Sequence, residues 1–64
     1  MSQFYTSSEE DLRRCRASLI EKRPILITAT VDDKIRAFNG VVQSVDEDRK
    51  WTPKRWRITI IESQ

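Results

Sequence analysis

Pro24 divides this chain into two hydrophobic rhythms, and that division restricts its fold more than any other feature. Ahead of it, Leu12, Cys15, Leu19 and Ile20 recur at the i, i+3, i+7, i+8 spacing of one buried helix face. Beyond it, Ile25, Ile27, Ala29 and Val31 alternate with Leu26, Thr28 and Thr30, the period-two pattern of a strand. Proline has no amide hydrogen and pushes the residue before it out of helical geometry, so the switch falls at Arg23-Pro24. Other signals agree on a helix over 8–22. Ser7 and Glu10 have capping-box spacing, and Glu9, Glu10 and Asp11 place negative charge at the positive end of the helix dipole. Lys22 and Arg23 place positive charge at the other end.

The strand pattern continues after residues 25–31. Asp32-Asp33 reads as a turn, and a second strand runs over 34–45. Its two faces, Ile35/Ala37/Asn39/Val41 and Arg36/Phe38/Gly40/Val42, are both mixed. Asn39-Gly40 therefore has two readings: a bend within one long strand, which we prefer, or a tight hairpin turn between two short ones. Residues 46–50 form a polar loop that Thr52-Pro53 punctuates, and 55–61 alternates again as a third strand. Residues 1–6 read as a tail anchored by Phe4 and Tyr5.

Short connections between sequential strands favour antiparallel pairing. The expected fold is α+β, an N-terminal helix packed on a three-stranded, strongly bent antiparallel sheet, within a single domain over 1–64. The expected core is Leu12, Cys15, Leu19, Ile25, Ile27, Val42, Trp56, Ile58 and Ile60. A chain of 64 residues supplies only about 3–5 kcal/mol from its core. With sheet edges left unpaired as well, a homodimer is expected.

Gly40, Val42 and Asp46 carry a partial family resemblance. Residues 8–46 resemble the first half of the Sm-like fold, the Hfq-type RNA chaperones included. Those proteins also begin with a helix followed by a strand, a turn and a bent second strand. That strand bears a glycine, an aliphatic residue two positions on and an aspartate six positions after the glycine. The resemblance implies a small Sm- or SH3-like unit. It stops there, because Sm-like domains have five strands and their C-terminal motif has no counterpart here. No RNA-binding residue carries over.

Charge is distributed unevenly. The formal net charge is +2, but residues 1–48 hold seven basic and nine acidic residues while 49–64 hold five basic and one acidic. The segment Arg49 to Arg57 combines Arg49, Lys50, Lys54, Arg55 and Arg57 with Trp51 and Trp56. Cationic groups neutralise phosphates, and indoles stack on bases or cations. Lys50, Trp51, Lys54, Arg55 and Arg57 are the candidate contacts to nucleic acid or an acidic protein, Arg55 and Arg57 projecting together from one strand face. The competing reading makes Trp56 a core residue, Trp51 an edge cover and the cations a solvated face. Arg13, Arg14 and Arg16 form a second basic group, within helical reach of Glu9 and Glu10.

Catalysis is not expected. The chain has no histidine, one glycine and one cysteine, which leaves no imidazole acid–base, no glycine-rich phosphate loop, no disulfide and no credible zinc site. The acidic turns 32–33 and 46–48 lack a calcium-loop pattern. Cys15 lies on the helix's apolar face and reads as a buried, inert thiol of a reducing compartment. The longest apolar run, Ile25-Leu26-Ile27, cannot span a bilayer, and the N-terminus lacks a charged start followed by an apolar stretch. The expectation is a cytoplasmic, non-enzymatic binding module without cofactor or metal. A self-associating structural domain is the alternative.

Overall fold

Ser8, not Ser7, caps the helix. In a computed structural model that describes residues 1–50 and 54–63, the Ser8 hydroxyl accepts from the Asp11 amide at 3.3 Å. Thr6 Oγ1 in turn accepts from the Ser8 amide at 3.1 Å. Helix α1 spans Glu9–Glu21 and ends at Lys22, which takes the left-handed conformation. Lys22 and Arg23 thus lie just outside the last turn. The buried stripe is Leu12, Cys15 and Ser18, with Leu19 half-buried; Ile20, expected inside, is exposed.

Residues 1–6 are not a tail. Ser2–Thr6 forms strand β1, followed after α1 by β2 (Ile25–Val31), β3 (Lys34–Asp48) and β4 (Arg55–Glu62). Among the described residues the sheet therefore has four strands where three were expected, in the order β1-β4-β3-β2, every pair antiparallel. Asp32 and Asp33 both adopt positive φ, as a two-residue hairpin between Val31 and Lys34 requires. A strand ahead of the helix also departs from the helix-first order of the Sm-like fold. What stands is a small curled antiparallel sheet with one helix, compatible with a small-barrel fold.

Asn39-Gly40 lies inside one continuous strand. Residues 34–40 of β3 pair with β2 and residues 40–48 with β4, so Gly40 is where the strand passes from one partner to the other. A Cβ on Gly40 would stand 2.0 Å from the Ile61 carbonyl oxygen. Two residues further, the register slips between Val42 and Ser44, leaving Gln43 as the extra residue of a bulge. The bulge re-aims only the residues after Gln43; the mixed faces over 35–42 come from apolar Ile35 and Val41 on the outer side and charged Arg36 on the inner side. Val42 and Val45, three apart, both pack inward because the slip inverts the parity. Ser18 on α1 fastens this point: its hydroxyl accepts from the Val42 amide at 3.0 Å and donates to the Arg23 carbonyl at 2.6 Å.

The core is Phe4, Leu12, Cys15, Ile27, Phe38, Val42, Ile58 and Ile60. Phe4 and Phe38, absent from the expected set, stack with ring centroids 4.8 Å apart and link β1 to β3. Leu19, Ile25 and Trp56 are only partly buried against this core. Arg14 donates to the Leu26 carbonyl at 2.6 Å, so the helix occupies one acceptor of the edge strand β2. No helix among the described residues is long and apolar enough to cross a membrane.

Candidate functional site

Parity decides where the basic side chains of β4 go. Trp56, Ile58 and Ile60 share the face that meets the helix and core, and Lys54 falls on that side just ahead of them. Arg55 and Arg57 have the opposite parity and face away from the helix. The residues that sequence reading grouped together are thus split between two surfaces.

On the helix side, α1 and the start of β4 enclose an open cleft of about 460 Å³ lined by Glu9, Leu12, Arg13, Arg16, Lys54 and Trp56. Arg13 and Arg16, one turn apart on α1, meet Lys54 from the far end of the chain. Neither arginine pairs with a carboxylate among the described residues; the expected neutralisation by Glu9 and Glu10 is absent there. Lys54 Nζ contacts Glu47 Oε1 at 3.1 Å and stands 5.8 Å from the centre of the Trp56 ring. That lysine is about 61% exposed, so the ion pair is solvent-screened and contributes at most about 1 kcal/mol. Trp56 is half-buried, its ring bridging core and cleft. Leu12 supplies the remaining apolar lining.

On the outer side the charges are matched. The register sets Asp46 opposite Arg57 and Asp48 opposite Arg55. Asp48 Oδ2 accepts from Arg55 Nε at 3.1 Å and also lies 3.1 Å from its Nη2. The Arg55 guanidinium also covers the Tyr5 ring at 3.9 Å. Arg57 Nη2 lies 3.7 Å from Asp46 Oδ2. These residues, with Lys50, line a second hollow of about 340 Å³; Glu47 also borders it, but its carboxylate pairs with Lys54. Arg55 and Arg57 do share a direction, but each already meets an aspartate. Arg49 approaches Glu47 at 3.8 Å. Lys50 is exposed, its amide donating to Asp48 Oδ1 at 3.2 Å. Trp51 lies outside the described residues. Arg36, a conceivable neighbour of Arg55 and Arg57, instead pairs in register with Ala29 and stands over Phe38 at 5.0 Å.

Cys15 is buried among core residues, and that burial, with Asp11 adding to it and Arg14 opposing it, raises its pKa to about 11. A thiol held neutral in this way is a poor nucleophile. No group of three or more metal-binding side chains occurs among the described residues.

The cleft was missed in the sequence because its halves lie some forty residues apart. Arg13 and Arg16 were visible as a helical pair and Lys54 as part of the basic segment; only the fold brings them to one place. No protein-family model, no curated protein and no solved structure matches the chain.

Proposed function

We propose that this protein is a small non-catalytic binding module of the cytoplasm that holds nucleic acid in the cleft between α1 and β4. The observation that carries the reading is the convergence of Arg13, Arg16 and Lys54 beside the half-buried Trp56. Lys54 is paired with Glu47, but Arg13 and Arg16 meet no carboxylate among the described residues and leave an excess of positive charge, where phosphates displace counterions favourably. On the outer side Arg55 and Arg57 each already meet an aspartate. Lys50 lies with Arg55 and Arg57 on the outer side, and those two arginines contribute only where a phosphate outcompetes their aspartates; Trp51 lies outside the described residues. The curled sheet with Gly40 at its bend also suits an Sm-like small barrel, a scaffold used for RNA.

The test is a salt series of oligonucleotide binding by fluorescence anisotropy on the full chain. Binding should weaken steeply as salt rises, and Arg13→Gln/Arg16→Gln/Lys54→Gln should lower the log–log slope by about three, one per phosphate contact. Arg55→Gln/Arg57→Gln should lower it by less. Absence of binding to any single- or double-stranded DNA or RNA at low salt would overturn the reading.

A second reading, self-association without a nucleic-acid role, rests on a different surface. The outer face of β2 and of the first half of β3 bears Leu26, Thr28, Thr30, Ile35, Ala37, Asn39 and Val41, continued by Ile61, with no charged residue among them. Leu26, Ile35 and Ile61 are 61%, 80% and 50% exposed.

A further inference from the structure

The position of Lys54 over Trp56 marks an open aromatic face. An ammonium can stand above an indole only where core side chains do not cover the ring. Trp56 is anchored against the core and reaches into the cleft, while Lys54 is mostly exposed and, among the described residues, pairs with the carboxylate of Glu47. Such a cation is readily displaced. Arg13 and Arg16 stand on the helix side of the same cleft, whose volume of about 460 Å³ falls in the range of small-ligand sites.

We infer that the cleft takes a nucleotide of a single strand, its base stacked on Trp56 in place of the Lys54 ammonium and its flanking phosphates held by Arg13, Arg16 and the displaced Lys54. This inference rests on the nucleic-acid reading and narrows it. A paired base has both faces covered by its neighbours, and a ring recessed between a helix and a strand cannot reach it without extrusion. A single strand can splay a base onto the indole, and any base presents a π face, so recognition is tolerant of sequence. A duplex would meet the same cations through phosphates alone and leave Trp56 untouched.

The experiment uses the full chain carrying Trp51→Phe, so that Trp56 is the sole indole. It is titrated at low salt with a ten-nucleotide oligo-dT, an oligo-rU of equal length and a DNA duplex of equal length, reading both indole fluorescence and anisotropy of the labelled strand. The single strands should quench the indole as they bind, and the duplex should bind without quenching. Trp56→Leu should weaken single-strand binding about 5- to 150-fold, the range for loss of one stacked base, and leave the salt slope unchanged. Trp56→Phe, which keeps an aromatic face, should retain most of the affinity; it also protects the test if Trp56→Leu fails to fold by circular dichroism. Equal quenching by the duplex, or single-strand binding without quenching, overturns the stacking inference and leaves the nucleic-acid reading in place. No binding of any of the three probes overturns both.

Discussion

Gly40 is the residue whose side chain, or lack of one, the fold tolerates least. Its φ is not positive, so backbone conformation alone would admit any residue. Space would not: an added Cβ would lie 2.0 Å from the Ile61 carbonyl oxygen and 2.8 Å from the Glu62 Cα, both backbone atoms that cannot swing aside. Gly40→Ala must separate β3 from β4 where their pairing begins. Overpacking of this kind costs about 1–3 kcal/mol or more. For a domain of this size each kcal/mol lowers the melting midpoint by about 4–8 °C, so calorimetry should show a fall of at least about 4 °C and up to about 24 °C. An unchanged midpoint would mean that the β3–β4 junction is wider than described. Cys15 offers a second test at this scale. Its thiol is held at a pKa of about 11 against an ordinary 9.0, chiefly by burial. The folded state therefore keeps the proton between pH 9 and 11 while the unfolded chain releases it. The stability this group contributes is fully present below pH 9 and is lost as pH rises through that window. Iodoacetamide at pH 8 should label the native protein far more slowly than the protein in urea, and labelling at native-like speed would show that Cys15 is accessible.

Strand β1 depends for its place on a partner more than fifty residues away. Phe4 pairs with Ile58 across that distance and stacks on Phe38 of β3, so one side chain couples the first strand to two others. Phe4→Ala removes the only buried apolar side chain of β1, since Thr6 is the other buried residue there. Truncating a buried phenylalanine costs about 3–5 kcal/mol, as much as the whole core of so small a domain supplies. The variant should lose its cooperative thermal transition, and a sharp transition within a few degrees of wild type would place Phe4 outside the core. The same dependence explains which elements could be read from sequence. Helix α1, β2 and β4 were legible within a residue or so because their signals are local: Pro24, an acidic first turn and clean alternation. Strand β1 was not, because five residues with one inward aromatic show no period of their own. The length of β3 was partly legible, but its faces were not: exposed Ile35 and inward-facing Arg36 blur the first half, and beyond Gln43 the bulge inverts parity, which only the register against β4 reveals. The candidate site divides in the same way. Its cations were visible as two separate groups, and only the packing of α1 beside the start of β4 brings them to one cleft. Ser18 escaped notice because a hydroxyl on the buried helix stripe looks like an interruption until its two hydrogen bonds are seen.

At the scale of the whole molecule, the outer face of the sheet changes character where β3 leaves β2 for β4. One half carries the Asp46/Arg57 and Asp48/Arg55 pairs; the other, from Leu26 across Ile35 and Val41 to Ile61, carries no charge. The two halves suit different neighbours. Water solvates the charged half, while the uncharged half gains by losing water. A standard interface buries about 800 Å² per partner, roughly one sixth of the 4933 Å² this chain exposes, and a face of two to three short strands approaches that only when its rim joins in. Any dimer formed there should accordingly be weak and concentration-dependent. Light scattering should give a monomer mass at micromolar protein and a rising mass toward millimolar concentrations. Ile35→Lys should hold the mass at the monomer value throughout, because an identical face would then meet charge with like charge. Ile35 is 80% exposed, so the substitution should shift the melting midpoint of the dilute protein by only a few degrees, corresponding to about 0.5 kcal/mol. The cleft lies on the helix side of the sheet, so the lysine variant should bind oligonucleotides as wild type does or slightly more tightly, since it adds positive charge. A wild-type chain that stays monomeric at millimolar concentration would remove self-association and leave the basic cleft as the sole basis for a function.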